Sequence, residues 1–255
     1  MKTKTDFDKI IAKGYSLDFS QSLDDILIYF KKTALLNGLV LLITSLGLLL
    51  IIGLGFGIGS VIDQFSNPEA LGALFADTTF LIYYVLSVVF IGVFLAPLYA
   101  GFIQINRDID TSNEVSISNI FTHYKSKYFL QIVAYTLIVQ LISSALTFIP
   151  FGGTLLSYIF AWFTVLGVPL IIFGNLSAID AIQYSFKLVA KNPWTILLIL
   201  IVAVLIAIAG LFALCIGIIF TMPIIYSTYY VLYKNIVGFK EEEIIFDLEK
   251  EIENL

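Results

Sequence analysis

The last apolar block of the chain limits its possible folds more than any other feature. Residues 194–233 form a run of 40 positions without a charged side chain. A helix crosses the hydrocarbon core of a bilayer in about 20 residues, so this block is long enough for two crossings. We expect the turn between them near residues 210–217. A water-soluble fold cannot hide so long an apolar block, and the sequence therefore predicts a helical membrane protein.

The rest of the chain fits the same class. Hydrophobic residues make up 59% of the sequence and charged residues only 13%, whereas soluble proteins have about 25% charged residues. Four more blocks have the length of a span, and with the two halves of the last block they predict an all-α membrane protein with about six spans. The four blocks are residues 35–59, 79–103, 129–149 and 154–173. We expect three regions: a cytoplasmic N-terminal segment with an interfacial helix (1–34), the six-helix transmembrane domain (35–235) and an acidic cytoplasmic tail (236–255).

Charge distribution predicts the orientation of these spans. All 14 lysines and arginines lie before the first span, between spans two and three, between four and five, or after the sixth. These positions share one side of the membrane, and cytoplasmic loops are the ones enriched in basic residues. The opposite loop, residues 60–78, carries only acidic charges. We therefore expect a multi-pass protein of the cytoplasmic (inner) membrane with both termini cytoplasmic and no cleavable signal peptide.

An internal repeat divides the six spans into three units. Residues 24–32, 119–127 and 180–187 each contain Asp or Asn, then apolar and aromatic residues, then lysine. Each precedes an odd-numbered span and is typical of an interfacial helix, with a capping side chain at its start and basic residues at its end. Each even-numbered span contains one proline. The sequence thus predicts three parallel repeats of interfacial helix plus helical hairpin, related by rotation about the membrane normal.

The three prolines are the first candidate functional residues. A proline inside a helix removes one hydrogen bond and bends the axis, so three bends could open a groove or cavity between the units; alternatively, they only shape the packing of the helices. Basic residues near the interface could bind lipid phosphate. The candidate lipid or groove residues are Pro97, Pro169, Pro223, Arg107, Lys125 and Lys187.

No pattern of catalytic residues is recognisable. His123 is the only histidine and Cys215 the only cysteine, which is too few for a His/Cys metal cluster or a serine triad. The glycines of residues 53–59 lie in an apolar block and favour helix packing rather than phosphate binding. The predicted spans contain no charged residue, which argues against ion-coupled transport. We expect no enzymatic activity, no cofactor and no metal.

Residues 184–194 (YSFKLVAKNPW), followed by the apolar stretch up to Thr221-Met222-Pro223-Ile224, resemble a broad family of uncharacterised bacterial six-helix membrane proteins. They are also similar to the membrane domain attached to some glycerophosphodiester phosphodiesterases. The resemblance implies the six-helix fold. It implies no catalytic residue, because the phosphodiesterase domain itself has no counterpart in these 255 residues.

These observations lead to one functional prediction and two alternatives. We expect a non-enzymatic membrane protein that binds membrane lipids or a membrane partner through the groove between its units. One alternative is an uncoupled channel or facilitator lined by hydroxyl and amide side chains. The other is a subunit of a membrane complex or homo-oligomer, whose partner holds the acidic tail 241–255. No feature of the sequence indicates nucleic-acid binding.

Overall fold

A computed structural model gives the fold for residues 2–56, 66–67, 69, 72–73, 76–111, 115–212 and 217–239. These residues form helices joined by turns. In chain order the helices are α1 (Lys4–Lys13), α2 (Phe19–Phe56), α3 (Thr78–Asp110), α4 (Ile117–Ile120), α5 (Phe129–Thr147), α6 (Gly153–Phe163), α7 (Gly167–Ile172), α8 (Ala178–Val189), α9 (Pro193–Ala209), α10 (Gly217–Thr221) and α11 (Ile224–Ile236), with 3₁₀ turns at Thr122–Tyr124 and Gly210–Phe212. The predicted all-α class is confirmed for this part of the chain.

Five helical segments of the described chain are long and apolar enough to cross a membrane. They are Phe19–Ile51, Thr78–Asp110, Phe129–Thr147, Gly153–Ile172 and Pro193–Phe212. The fourth combines α6 and α7 with the turn between them. The sixth predicted span corresponds to α10 and α11, which have 5 and 13 residues. Neither of these two helices reaches the length of a span alone, because the chain is interrupted between them at Pro223.

Burial changes sharply along α3. Its 33 residues extend about 50 Å at 1.5 Å per residue, which is more than the hydrocarbon thickness of about 30 Å. Phe90 and Phe94 are 73% and 60% exposed, whereas nearly all side chains from Leu95 to Asn106 are buried. The first part of α3 therefore presents its side chains outward, as a lipid-facing helix does, and the last part is packed within the protein.

One end of the bundle is tightly packed, and we call it the polar end. It contains α1, α8, the start of α2 and the C-terminal ends of α3 and α11. Contacts between side chains bring these elements together. Lys4 of α1 lies 2.8 Å from Asp180 of α8, and Lys234 of α11 lies 2.7 Å from Asp110 of α3. Basic residues of α1 and α11 are thus paired with carboxylates of α8 and α3 at this end of the bundle.

The three repeated segments take three different forms. Residues 24–32 belong to the long helix α2, residues 119–127 include the end of α4 and a 3₁₀ turn, and residues 180–187 lie within the separate helix α8. The first segment continues into the span because residues 19–37 contain neither glycine nor proline. In contrast, Ser177 caps α8 by accepting a hydrogen bond from the Asp180 backbone N–H at 3.2 Å, which fixes a new helix start.

Several predicted features lie wholly or partly outside the described residues. These are the acidic tail 241–255, most of the loop 60–78, part of the turn at 210–217 with Cys215, and the glycines at positions 57 and 59.

Candidate functional site at the proline breaks

Pro97 lies inside the continuous helix α3. Because proline has no N–H, it cannot donate to the carbonyl of Val93 four residues earlier. The Tyr124 hydroxyl, from the second repeated segment, donates to the next carbonyl, that of Phe94, at 2.9 Å. The same segment lies directly against α3, since a side chain at Gly101 would collide with the Ile120 carbonyl oxygen. The repeated segment therefore covers α3 next to Pro97.

Pro169 follows a break between α6 and α7, and the third repeated segment covers it in a similar way. The Ser185 hydroxyl of α8 donates to the Phe163 carbonyl at 2.7 Å and accepts from the Leu166 N–H at 3.1 Å. The Tyr135 hydroxyl of α5 donates to the Thr164 carbonyl. Side-chain hydroxyls thus replace the backbone hydrogen bonds that the helix loses at this break.

Pro223 separates α10 from α11, and α2 packs against this break. Two contacts bracket it: the Thr33 and Ser227 hydroxyl oxygens are 3.5 Å apart, and a side chain at Gly38 would collide with the Phe220 ring. Asn37 lies between Thr33 and Gly38 and is fully buried. Neither its amide oxygen nor its amide nitrogen has a hydrogen-bond partner among the described residues.

A charged cluster closes the polar end above the Pro223 break. The Asp110 carboxylate accepts hydrogen bonds from the Tyr29 hydroxyl, from the Tyr230 hydroxyl at 2.6 Å and from the Lys234 ammonium at 2.7 Å. These residues come from α2, α3 and α11, and the Tyr29 and Tyr230 rings meet edge to face at 5.1 Å. One carboxylate therefore joins three helices.

The three predicted basic residues have different surroundings. Arg107 is half-buried, with its guanidinium 3.8 Å from the Asp110 carboxylate and 3.7 Å from the centre of the Phe239 ring. Lys125 and Lys187 are exposed, and no carboxylate of the described chain lies within 4 Å of either. Arg107 therefore contacts groups of the protein itself, and the two lysines lie on its surface.

Two apolar pockets flank α3 next to Pro97. The larger, about 540 Å³, lies between α2 and α3, and the smaller, about 240 Å³, lies between α3, α5 and the Tyr124 ring. Phe90 and Phe94 line both pockets. Ser87 and Tyr83 supply the only hydroxyls of the larger one. Both pockets thus lie along α3 on the N-terminal side of Pro97, and Phe94, three residues before the proline, lines each of them.

Some important residues of this region could not be recognised in the sequence. Asp110, Lys234 and Tyr29 are 81 to 205 positions apart where they meet, so no local pattern joins them. Asn37 and His123 resemble ordinary residues of a membrane boundary, yet His123 is 4% exposed. An amide side chain within the apolar part of a helix, as Asn37 is, was the available signal.

No family model, no curated protein and no solved structure matches this chain. The class of the protein therefore rests on its own features. The long helices carry exposed apolar side chains away from the polar end, as helices that face lipid do. Together with the packed polar end, this is the pattern of a multi-pass helical membrane protein.

Proposed function

We propose that this chain is a non-enzymatic protein of the cytoplasmic membrane that binds a membrane lipid in a lateral groove beside Pro97. The observation that supports this most is the pair of apolar pockets on either side of Phe90 and Phe94. The larger pocket, about 540 Å³, is by itself within the range of about 300–1,000 Å³ that holds a small-molecule ligand. Both pockets lie against a helix whose outer face is exposed, so a lipid chain could enter from the bilayer without crossing the protein.

Charge near the smaller pocket supports a phospholipid as the ligand. The Tyr124 ring forms part of its wall, and the next residue, Lys125, is exposed. Lys127 is exposed as well, with its ammonium 4.9 Å from the centre of the Tyr128 ring. Lysines and aromatic rings at headgroup level are the usual composition for contact with anionic lipid. The acyl chain would occupy the pocket and the phosphate would bind these lysines.

The finer architecture belongs to the same proposal. We infer six spans, with α10 and α11 together forming the sixth, three parallel repeats, and both termini in the cytoplasm. Two of the repeated segments place a hydroxyl on a backbone carbonyl near the proline of the span before them, Tyr124 near Pro97 and Ser185 near Pro169, which supports a common unit. The similarity to the membrane domain of some glycerophosphodiester phosphodiesterases remains a prediction.

Lipid retention tests the proposal directly. The protein is reconstituted in nanodiscs that contain phosphatidylglycerol and phosphatidylethanolamine, re-extracted in mild detergent, and analysed by native mass spectrometry. We expect the wild-type chain to retain phospholipid. Ser87→Trp, which fills the larger pocket, and the pair Lys125→Gln with Lys127→Gln should each reduce retention, the lysine pair mainly for phosphatidylglycerol.

The matched control for the lysine pair is Lys9→Gln with Lys13→Gln. These two lysines of α1 are exposed, and replacing them causes the same change in charge. No residue of α1 lines either pocket. Retention should be unchanged in this control. Wild-type protein without bound phospholipid, or a Ser87→Trp variant that retains it fully, would show that the groove does not bind lipid.

A further inference from the structure

Among the described residues, Asn37 is the one whose two polar side-chain atoms are both buried without a hydrogen-bond partner. It is fully buried, and both polar atoms of its amide lack a partner among the described residues. Burying an amide without a hydrogen bond is unfavourable, because the group loses its bonds to water and gains none in return. Because leucine would fill a similar volume at no such cost, a polar occupant is needed to explain an amide here.

Helix geometry places Asn37 at the Pro223 break. Helices α2 and α11 run in opposite directions, and pairs of residues define their register: Tyr29 with Lys234 and Thr33 with Ser227. Residues four apart share one face of a helix, so Asn37 is one turn deeper than Thr33 and at the level of Pro223. The contact of Gly38 with Phe220 on α10 gives the same depth.

The Pro223 break leaves one backbone carbonyl without its usual helical donor at this level. Proline cannot donate to the carbonyl four residues before it, which is that of Ile219 in α10. Helix α10 ends at Thr221, so its last carbonyls point toward the break with the negative end of their dipoles. At the other two prolines, hydroxyls of Tyr124 and Ser185 bond to the backbone nearby. At Pro223, Asn37 lies at the same depth and has no partner among the described residues.

The polar side chains above Asn37 bond mainly to the backbone and to one another. Thr33 donates to the Tyr29 carbonyl at 3.0 Å, Ser227 donates to the Asn106 amide oxygen at 2.9 Å, and Asn106 donates to the Phe102 carbonyl at 2.8 Å. The hydroxyl oxygens of Thr33 and Ser227 lie 3.5 Å apart, and either can be the donor to the other. Each hydroxyl oxygen also has lone pairs with which it can bind a cation.

We propose that Asn37 and the Pro223 break form a binding site for one Na⁺ ion. The Asn37 amide oxygen and the Ile219 carbonyl would be ligands, and the Thr33 and Ser227 oxygens would lead to them from the Asp110 cluster at the polar end. Hard cations prefer oxygen ligands, and carbonyls of interrupted membrane helices coordinate Na⁺ in transporters. The site needs no carboxylate within the bilayer and is independent of the lipid groove.

Thermal unfolding of the full-length protein in detergent tests this site, with Trp fluorescence as the signal. Tm is measured in NaCl and in choline chloride at equal ionic strength. We expect Tm to rise with Na⁺ and to saturate, by roughly 5–10 °C at a hundredfold excess over Kd for a chain of this size. Asn37→Leu should abolish the Na⁺ response and should be at least as stable as wild type in choline chloride, because it removes the unpartnered amide.

Gln140→Leu is the matched control, since Gln140 of α5 also has a buried amide oxygen without a partner among the described residues. This variant should retain the wild-type Na⁺ response. Equal wild-type Tm values in the two salts, or an unchanged Na⁺ response in Asn37→Leu, would overturn the site. If Asn37→Leu does not fold, equilibrium binding of ²²Na⁺ to the wild type decides: about one ion per chain, reduced in Thr33→Val, supports the site, and no bound ion rules it out.

Discussion

His123 allows a clean pH experiment, because it is the only histidine of the chain. It lies in the 3₁₀ turn before α5, is 4% exposed and has an unpartnered Nε2 among the described residues. Burial lowers the pKa of His123 from 6.5 to about 4. Above pH 6.5 both the folded and the unfolded chain carry neutral imidazole, so this residue has no effect on the pH dependence there.

Below pH 6.5 the unfolded chain binds a proton that the folded chain does not, so the free energy of unfolding must decrease as the pH is lowered. Between pH 7.5 and pH 5 the free energy of unfolding should decrease by about 2 kcal/mol, which follows from the difference between the two pKa values. The loss is complete only when the pH falls below the folded pKa. His123→Phe, which retains an aromatic ring, should lack this part of the pH dependence.

The assay is equilibrium unfolding of the full-length protein in mixed micelles at a series of pH values, for wild type and His123→Phe. Carboxylates contribute equally to both proteins, so the difference between the two curves reports the imidazole. A second measurement is the NMR signal of ¹³C-labelled histidine, which should not titrate until about pH 4. Parallel stability curves, or an imidazole that titrates near pH 6.5, would refute the burial argument.

Three substitutions test the contacts that hold the polar end and the breaks together. Asp110→Ala should lower the free energy of unfolding by about 3 kcal/mol, since three donors lose their shared acceptor, as measured by unfolding in mixed micelles. Ser185→Ala should cost about 1–3 kcal/mol in the same assay, because it leaves a buried N–H and a carbonyl unpaired. Gly101→Ala forces a methyl group against the Ile120 carbonyl and should lower Tm, with a cost of about 1–3 kcal/mol. Gly47→Ala, with open space around it, should leave Tm unchanged or raise it; equal effects of the two glycine substitutions would contradict the close approach.

The sequence predicted the parts of this protein that depend on local composition. A run of apolar residues of sufficient length must be a helix in lipid, because only a helix satisfies its own backbone hydrogen bonds there. The helical class and the positions of five long apolar helices follow from this reason alone. The prolines were also visible, because their effect on a helix is local. The sixth span and the repeats had the same kind of support, and they stay predictions.

Only the tertiary structure decided how these helices meet and which polar groups remain without partners. Asp110 lies more than 100 positions before Tyr230 and Lys234, and such pairings depend on the register between helices rather than on any one segment. The same holds for Asn37. In the sequence it resembles an ordinary residue of the membrane boundary, whereas its burial at the level of the Pro223 break makes it a candidate ligand. Hydrophobicity determines where a chain crosses a membrane, and packing between the helices determines what its few polar residues can bind.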